Sequence, residues 1–207
     1  LIASDDASVH APGEKVVRAF RRGFDALSDD WDIVCKFDAD IVFPDNYLEK
    51  LKDAFSSNKK LGMFGGLLTI ANDDTWVIET ISHKNHLRGP IKAYSRACFE
   101  DIDGIREVLG WDTLDELLAL YHGHQVMTAE NLWVKHLRPT GASYSHSVAA
   151  AKGRLFYELG YRLFLGVLAT MKWSFTQRGS LLASLGGFLG AWFSRKPKLV
   201  TWREARF

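Results

Sequence analysis

A chain of 207 residues, 47% hydrophobic and 13% aromatic, is long enough to bury a core and too apolar to remain disordered. Its 26 Lys and Arg against 25 Asp and Glu leave a formal net charge of +1, which gives no electrostatic case for a nucleic-acid binder. Cys35 and Cys98 lie far apart and share no ligand spacing with any histidine, so neither a zinc site nor a disulfide framework is indicated, and a reduced, cytoplasmic chain is expected.

Leu1-Ile2-Ala3-Ser4 reads like the end of a strand running into a polar loop rather than a signal peptide, and an N-terminal part is expected to be missing. No apolar stretch reaches the roughly 20 residues needed to span a bilayer. From Glu14 to Leu27, Val16, Val17, Phe20, Phe24 and Leu27 recur at helical spacing. Trp31 to Phe37 is β-branched and aromatic enough for a buried strand, and it ends in Asp38-Ala39-Asp40. Pro44-Asp45 opens a helix over 46–55; strand signals follow at 61–70, then a turn at Asn72-Asp73-Asp74, an apolar run at 76–81, a basic loop at 82–89 and a strand at 91–95. A helix over 113–122 ends at Gly123, and 126–136 returns to extended structure. This alternation of helices and strands is α/β. The core reading stops near Ser147, so residues 1–147 form one predicted domain. Residues 148–207 form a helical segment whose runs at 155–173 and 180–193 are dense in Leu, Phe, Gly and Trp.

Two carboxylates at i and i+2 on an extended backbone point to one side, and such close like charges resist joint ionisation unless a cation compensates. Asp38 and Asp40 at the C-terminal end of a buried strand therefore suggest a hard divalent metal, because open α/β sheets place their ligands at that end. A pair of turn-favouring, capping aspartates is the competing reading.

Cys35-Lys36-Phe37-Asp38-Ala39-Asp40, then Phe43-Pro44-Asp45 and Leu48, resembles the DxD segment of family 2 glycosyltransferases of the GT-A fold. Gly89-Pro90-Ile91-Lys92-Ala93-Tyr94-Ser95-Arg96, with Phe99 and Ile102-Asp103-Gly104, is similar to the family's acceptor-side strand and loop. Gly110-Trp111-Asp112 before a helix resembles its acidic catalytic motif, and His136-Leu137-Arg138-Pro139 its late histidine segment. The resemblance covers about residues 14–141. It implies a GT-A-like, Rossmann-like mixed sheet with flanking helices, and C-terminal apolar helices follow. It further implies a nucleotide-diphosphate sugar as donor, Mn²⁺ or Mg²⁺ as cofactor, and direct displacement with inversion at the anomeric carbon.

On the matching positions, Asp40 is the expected metal ligand, Asp38 lies near ribose or metal, and His136 is a further metal ligand. Asp112 is the candidate base, with Asp115 and Glu116 as competitors; for Asp112 an N-cap of the following helix is the alternative. Arg88 and Arg138 could clamp a diphosphate or an anionic acceptor, or be solvated loop charges. Gly89 lies on the acceptor side, and Trp111 either stacks on an acceptor sugar or packs beneath its helix. The chain departs from the family in three respects. The nucleotide-binding strands that precede the DxD have no counterpart, Ala19-Phe20-Arg21-Arg22-Gly23 replaces Ala-x-Asn-x-Gly, and Trp111 replaces a glutamate.

In residues 154–198, aromatic and basic residues flank short apolar helices, which suits a lipid interface. Peripheral docking on the cytoplasmic leaflet is expected, bringing the site to a glycan or lipid-linked acceptor; a helical hairpin covering the core or packing a homodimer is the alternative. Two other functions compete with transfer: a non-catalytic membrane-associated interaction module, and a metal-dependent phosphohydrolase using Asp38 and Asp40.

Overall fold

The computed structural model describes residues 13–79, 86–138, 146–177 and 179–207. The part of the basic loop that holds His83 and Lys84 lies outside them, as do Pro139 and Arg178. The architecture is mixed α/β and divides into two compact units, a sheet with its helices and a C-terminal set of helices.

In the sheet unit, α1 (Glu14–Phe24) stops three residues before the predicted end, and Leu27 is 53% exposed. Val17 is buried, while Phe20 and Phe24 meet Phe99 with ring centroids 6.0 and 4.9 Å apart. The arginines between them are anchors: Arg18 pairs with Glu107 at 2.7 Å and Arg21 donates to the Ile105 carbonyl at 3.3 Å.

The strands are β1 (Ile33–Phe37), β2 (Ile41–Val42), β3 (Leu61–Asn72), β4 (Thr75–Ile78), β5 (Ile91–Ser95) and β6 (Gln125–His136). They form one mixed sheet in the order β1-β5-β3-β6-β2, with β4 hairpinned onto β3. Among the described strands, β3 and β6 pair in parallel and the other pairs are antiparallel. The first nine residues of β3 are buried, which is why its sequence is a continuous apolar run rather than an alternating one. A Cβ at Gly66 would lie 2.3 Å from the Leu132 carbonyl oxygen, so only glycine admits β6 this closely, and the register shifts just after it.

Helix α2 (Tyr47–Ser57) buries Tyr47, Leu51 and Phe55 against Phe64, Leu68, Ile91 and Val134. Two further helices follow in this unit, α3 (Arg96–Asp101) and α4 (Trp111–Tyr121). α4 ends as predicted at Gly123, whose φ of 86° admits the capping bonds Gly123 N–H to Leu120 and His124 N–H to Ala119.

The C-terminal unit comprises α5 (His146–Glu158), α6 (Leu163–Gln177) and α7 (Leu181–Phe193), three helices where the sequence shows two apolar runs. The first run breaks at Gly160, whose φ is 83°. α5 and α7 cross with backbones nearly touching. A Cβ at Gly153 would lie 1.7 Å from the Ser184 carbonyl oxygen, and one at Gly187 2.0 Å from that of Ala150. The chain then folds back, with Leu199 N–H on the Glu158 carbonyl and Lys198 Nζ on that of Tyr157. Among the described residues, no helix is long and apolar enough to cross a membrane.

Candidate functional site

Asp38 and Asp40 straddle the junction between β1 and β2. Phe37, Phe43 and Tyr47 stack beneath it with centroids 4.3–6.0 Å apart, which ties the junction to α2. The backbone is pinned on both sides: Asp38 N–H donates to the Pro90 carbonyl at 3.0 Å and the Asp40 carbonyl accepts from Leu137 N–H at 2.8 Å. The chain does not stay extended across the motif, however. It turns at Ala39-Asp40, and the carboxylates take separate partners instead of sharing one.

Asp38 is paired with the Lys36 ammonium. Lys36 is buried, also donates to the Gly89 carbonyl at 3.2 Å, and lies 5.1 Å from the centre of the Trp111 ring. Burial lowers its pKa from the ordinary lysine value, with Asp38 opposing that shift. Asp40 instead faces His136, Oδ1 to Nε2 at 3.7 Å, because Ile41 and His136 are register partners in the β2–β6 ladder. His136 is 6% exposed, and its buried Nδ1 has no hydrogen-bond partner among the described residues; it lies 4.0 Å from Glu79 Oε2. Glu79 in turn pairs with Arg88 at 3.1 Å. Arg138 is exposed two residues beyond β6.

A second polar group gathers at the start of α4. Its N-cap position is Gly110, φ 76°, so Asp112 sits within the first turn and is not the cap that its sequence position allows. Trp111 is 6% exposed, with the ammonium groups of Lys36 and Lys92 over its ring and Gly89 against its edge; a Cβ at Gly89 would come within 3.0 Å of that edge. The expected stacking on an acceptor sugar therefore has little ring to use, and Trp111 is the platform on which the two lysines rest. Asp115, the expected alternative to Asp112 as catalytic group, is 2% exposed. Its Oδ1 accepts from Lys92 Nζ at 2.6 Å and its Oδ2 from the Tyr94 hydroxyl, which holds it in the core, away from any acceptor. Burial pushes its pKa up to about 6, against the opposing effects of Lys92 and Tyr94.

Asp112 is partly exposed. Burial would raise its pKa, but the bond from His86 and the charges of Lys92, His86 and Arg88 outweigh it and hold the carboxyl below its ordinary value. His86 reaches Glu116 at 2.6 Å through Nδ1 and Asp112 at 3.7 Å through Nε2. Asp112 and Glu116 push the imidazole pKa up to about 9 against burial, so at neutral pH the ring is a cation between two carboxylates.

Lys36, Lys92 and Glu79 are members of this network that the sequence reading passes over, and His86 is one it leaves without a role. The signal for the lysines is a charge in the middle of an otherwise apolar strand, which is stable only when paired. Among the described residues, no three His, Cys, Asp or Glu side chains converge into a metal cluster. A cleft lined by Phe20, Phe24, Trp31, Arg96 and Asp103 holds none of the residues of the two groups.

The raised pKa of His86 carries a pH dependence. The folded value exceeds the ordinary 6.5, so the stabilisation is complete below about pH 6.5 and disappears as pH rises through about 9. It amounts to at most about 3 kcal/mol. We expect the melting-temperature difference between wild type and His86→Gln to shrink across this window; a gap that stays constant would show that the ring carries no extra proton.

No family model matches the chain, and no curated protein matches it. Among solved structures it is similar to a mannosyltransferase, PcManGT from Pyrobaculum calidifontis, determined in complex with GDP-Man and Mn²⁺, with a TM-score of 0.47 and 12% identity. The match covers 97% of this chain, which spans 58% of that protein's length.

Proposed function

We propose that this protein is a metal-dependent glycosyltransferase of the family 2 type, transferring a sugar from a nucleotide-diphosphate donor to a hydroxyl of a glycan or lipid-linked acceptor. The observation that carries the reading is the meeting of Asp40 and His136, 96 positions apart in sequence and 3.7 Å apart in space, at a strand end. Both residues belong to segments that resemble that family. Neither turn preference nor helix capping accounts for a buried imidazole whose Nε2 faces the second aspartate of a DxD.

The residues fit a divalent cation with two protein ligands. Asp40 offers a hard oxygen and His136 the ring nitrogen Nε2, 3.7 Å from it, while Nδ1 on the far side of the ring lies 4.0 Å from Glu79 Oε2. Two protein ligands are enough for Mg²⁺ or Mn²⁺ when the rest of the shell comes from diphosphate oxygens and water. Such an ion, when bound, supplies charge neutralisation to the departing diphosphate. Asp38, already neutralised by Lys36, is suited to hydrogen bonding with ribose rather than to ligating metal.

In the transfer step, the acceptor oxygen forms a bond to the anomeric carbon while that carbon's bond to the phosphate oxygen breaks. The nucleoside diphosphate leaves with the electron pair, and the acceptor's proton passes to the Asp112 carboxylate. Asp112 suits this role because it is both charged and partly exposed, whereas Asp115 is sealed. His86, already protonated at neutral pH, cannot take that proton and instead positions Asp112. Inversion follows from a single displacement.

The test is calorimetric titration of UDP and GDP, with and without Mn²⁺, into the full-length protein and its Asp40→Ala variant. Binding that needs the metal and disappears in Asp40→Ala is the expected result. Binding of either nucleotide unaffected by both metal and substitution would overturn the metal site, and no binding of any nucleoside diphosphate would overturn the enzyme reading itself.

A further inference from the structure

Charge is distributed unevenly along the chain. Residues 142–207 hold ten Lys and Arg against only Glu158 and Glu204, a net +8, while residues 1–141 hold sixteen against twenty-three acidic residues, a net −7. The near-neutral total conceals a strongly cationic C-terminal unit.

Helix α6 of that unit is also inside out. On α6 the buried side chains are Gly166, Thr170 and Ser174, one small or polar residue per turn. Its solvent face carries Phe164 at 74% and Phe175 at 73% exposure, with Leu165 and Leu168 between them. Helices packed in water bury their large apolar residues and expose polar ones; here the order is reversed. Small residues at helix crossings and hydroxyls bonded across helices belong instead to packing in lipid. Both occur here: Gly166 lies under the Phe188 ring, where a Cβ would come within 2.0 Å, and Ser174 shares a hydrogen bond with Ser184 of α7 at 2.8 Å.

The helices have 15 and 13 residues, which at about 1.5 Å per residue falls well short of a hydrocarbon core of about 30 Å. They can lie in an interface but not cross it. Arg162 and Lys172 flank the exposed face of α6, Lys196 and Arg203 are exposed, and Arg206 lies over the Trp202 ring, which is 65% exposed. Cationic groups beside apolar and indole surface match an anionic headgroup layer over acyl chains. A second copy of the same unit would bring +8 against +8, which argues against self-association as the cover for this face.

We propose that the C-terminal unit is a monotopic membrane-docking element that seats the Phe164–Phe175 face of α6 in the interface of an anionic bilayer leaflet. The inference does not rest on the glycosyltransferase reading and would hold for a non-catalytic protein.

The test is sedimentation of the full-length protein with vesicles of phosphatidylcholine containing phosphatidylglycerol and with vesicles of phosphatidylcholine alone, alongside sedimentation velocity without lipid. Phe164→Ser/Phe175→Ser should weaken binding to the anionic vesicles at least tenfold, and Lys196→Glu/Arg203→Glu should reduce it in the same direction; a folded circular dichroism spectrum confirms that both variants are intact. Failure of the wild type to bind overturns the proposal. So does loss in the charge variant alone, which would mean electrostatic adsorption without insertion. A lipid-free dimer abolished by the phenylalanine substitutions, with no vesicle binding, would assign the face to a second copy.

Discussion

Asp115→Asn is expected to cost about 3–5 kcal/mol and to lower the melting temperature by roughly 10 °C, a loss larger than that from any single change at the surface. The reason lies in Lys92, which is fully buried in β5 and whose ammonium finds its countercharge in Asp115 Oδ1 at 2.6 Å. An amide keeps the volume and can still accept the Tyr94 hydroxyl, but it leaves a positive charge in the core without its directly bonded counter-ion. A double-mutant cycle with Lys92→Met separates this effect from packing. If the pair acts as a unit, the double variant should be clearly less destabilised than the sum of the two single ones, because an uncharged pair has no ion left to desolvate. Strict additivity in thermal melts would show that the contact is incidental. The pair's structural task is specific: Lys92 also donates to the Asp112 carbonyl, so one buried cation ties the sheet to the first turn of α4 and fixes where the Asp112 carboxylate emerges.

The elements that sequence periodicity predicts well are those long enough to display a period or apolar enough to be buried on both faces, such as β5, β3 and α4. What it misses is short or set by distant partners. α3 has six residues, too few for an amphipathic repeat, and β2 has two and exists only because β6 pairs with it. The same distant pairing makes half of the site. Asp40 and His136 are each recognisable from their segments, yet their contact follows from the Ile41–His136 register, which no local window contains. The separation of Asp38 from Asp40 was illegible for a related reason. Two carboxylates on an extended backbone should face one way, but Lys36 draws Asp38 toward Gly89 and Trp111 while the turn at Ala39-Asp40 sends the other toward β6. The buried lysines were visible only as anomalies. Lys36 and Lys92 interrupt apolar strands, and the sequence alone does not say which carboxylates they meet.

Asp112→Asn is expected to lower turnover about 10²- to 10⁴-fold, the range associated with loss of a positioned general base, and to leave metal-dependent nucleotide binding intact. Binding should persist because Asp112 belongs to the α4 network, apart from the Asp40–His136 pair. The readout is release of nucleoside diphosphate from whichever nucleotide sugar the titration identifies, measured at saturating donor so that the loss appears in kcat and not in KM. Asp112→Glu should recover part of the rate, since it restores a carboxylate at slightly different reach, whereas His86→Gln should lower the rate less and alter its pH profile, as befits a residue that orients the base. Glu116 provides the internal comparison. It shares His86 with Asp112 at the shorter distance, 2.6 Å against 3.7 Å, and is one turn further along α4. If Glu116→Gln removes more activity than Asp112→Asn, the roles are exchanged: Glu116 takes the proton and Asp112 serves to hold His86. Asp112 is the more exposed of the two, 30% of its side chain against 14% for Glu116, which makes it the expected acceptor of the proton.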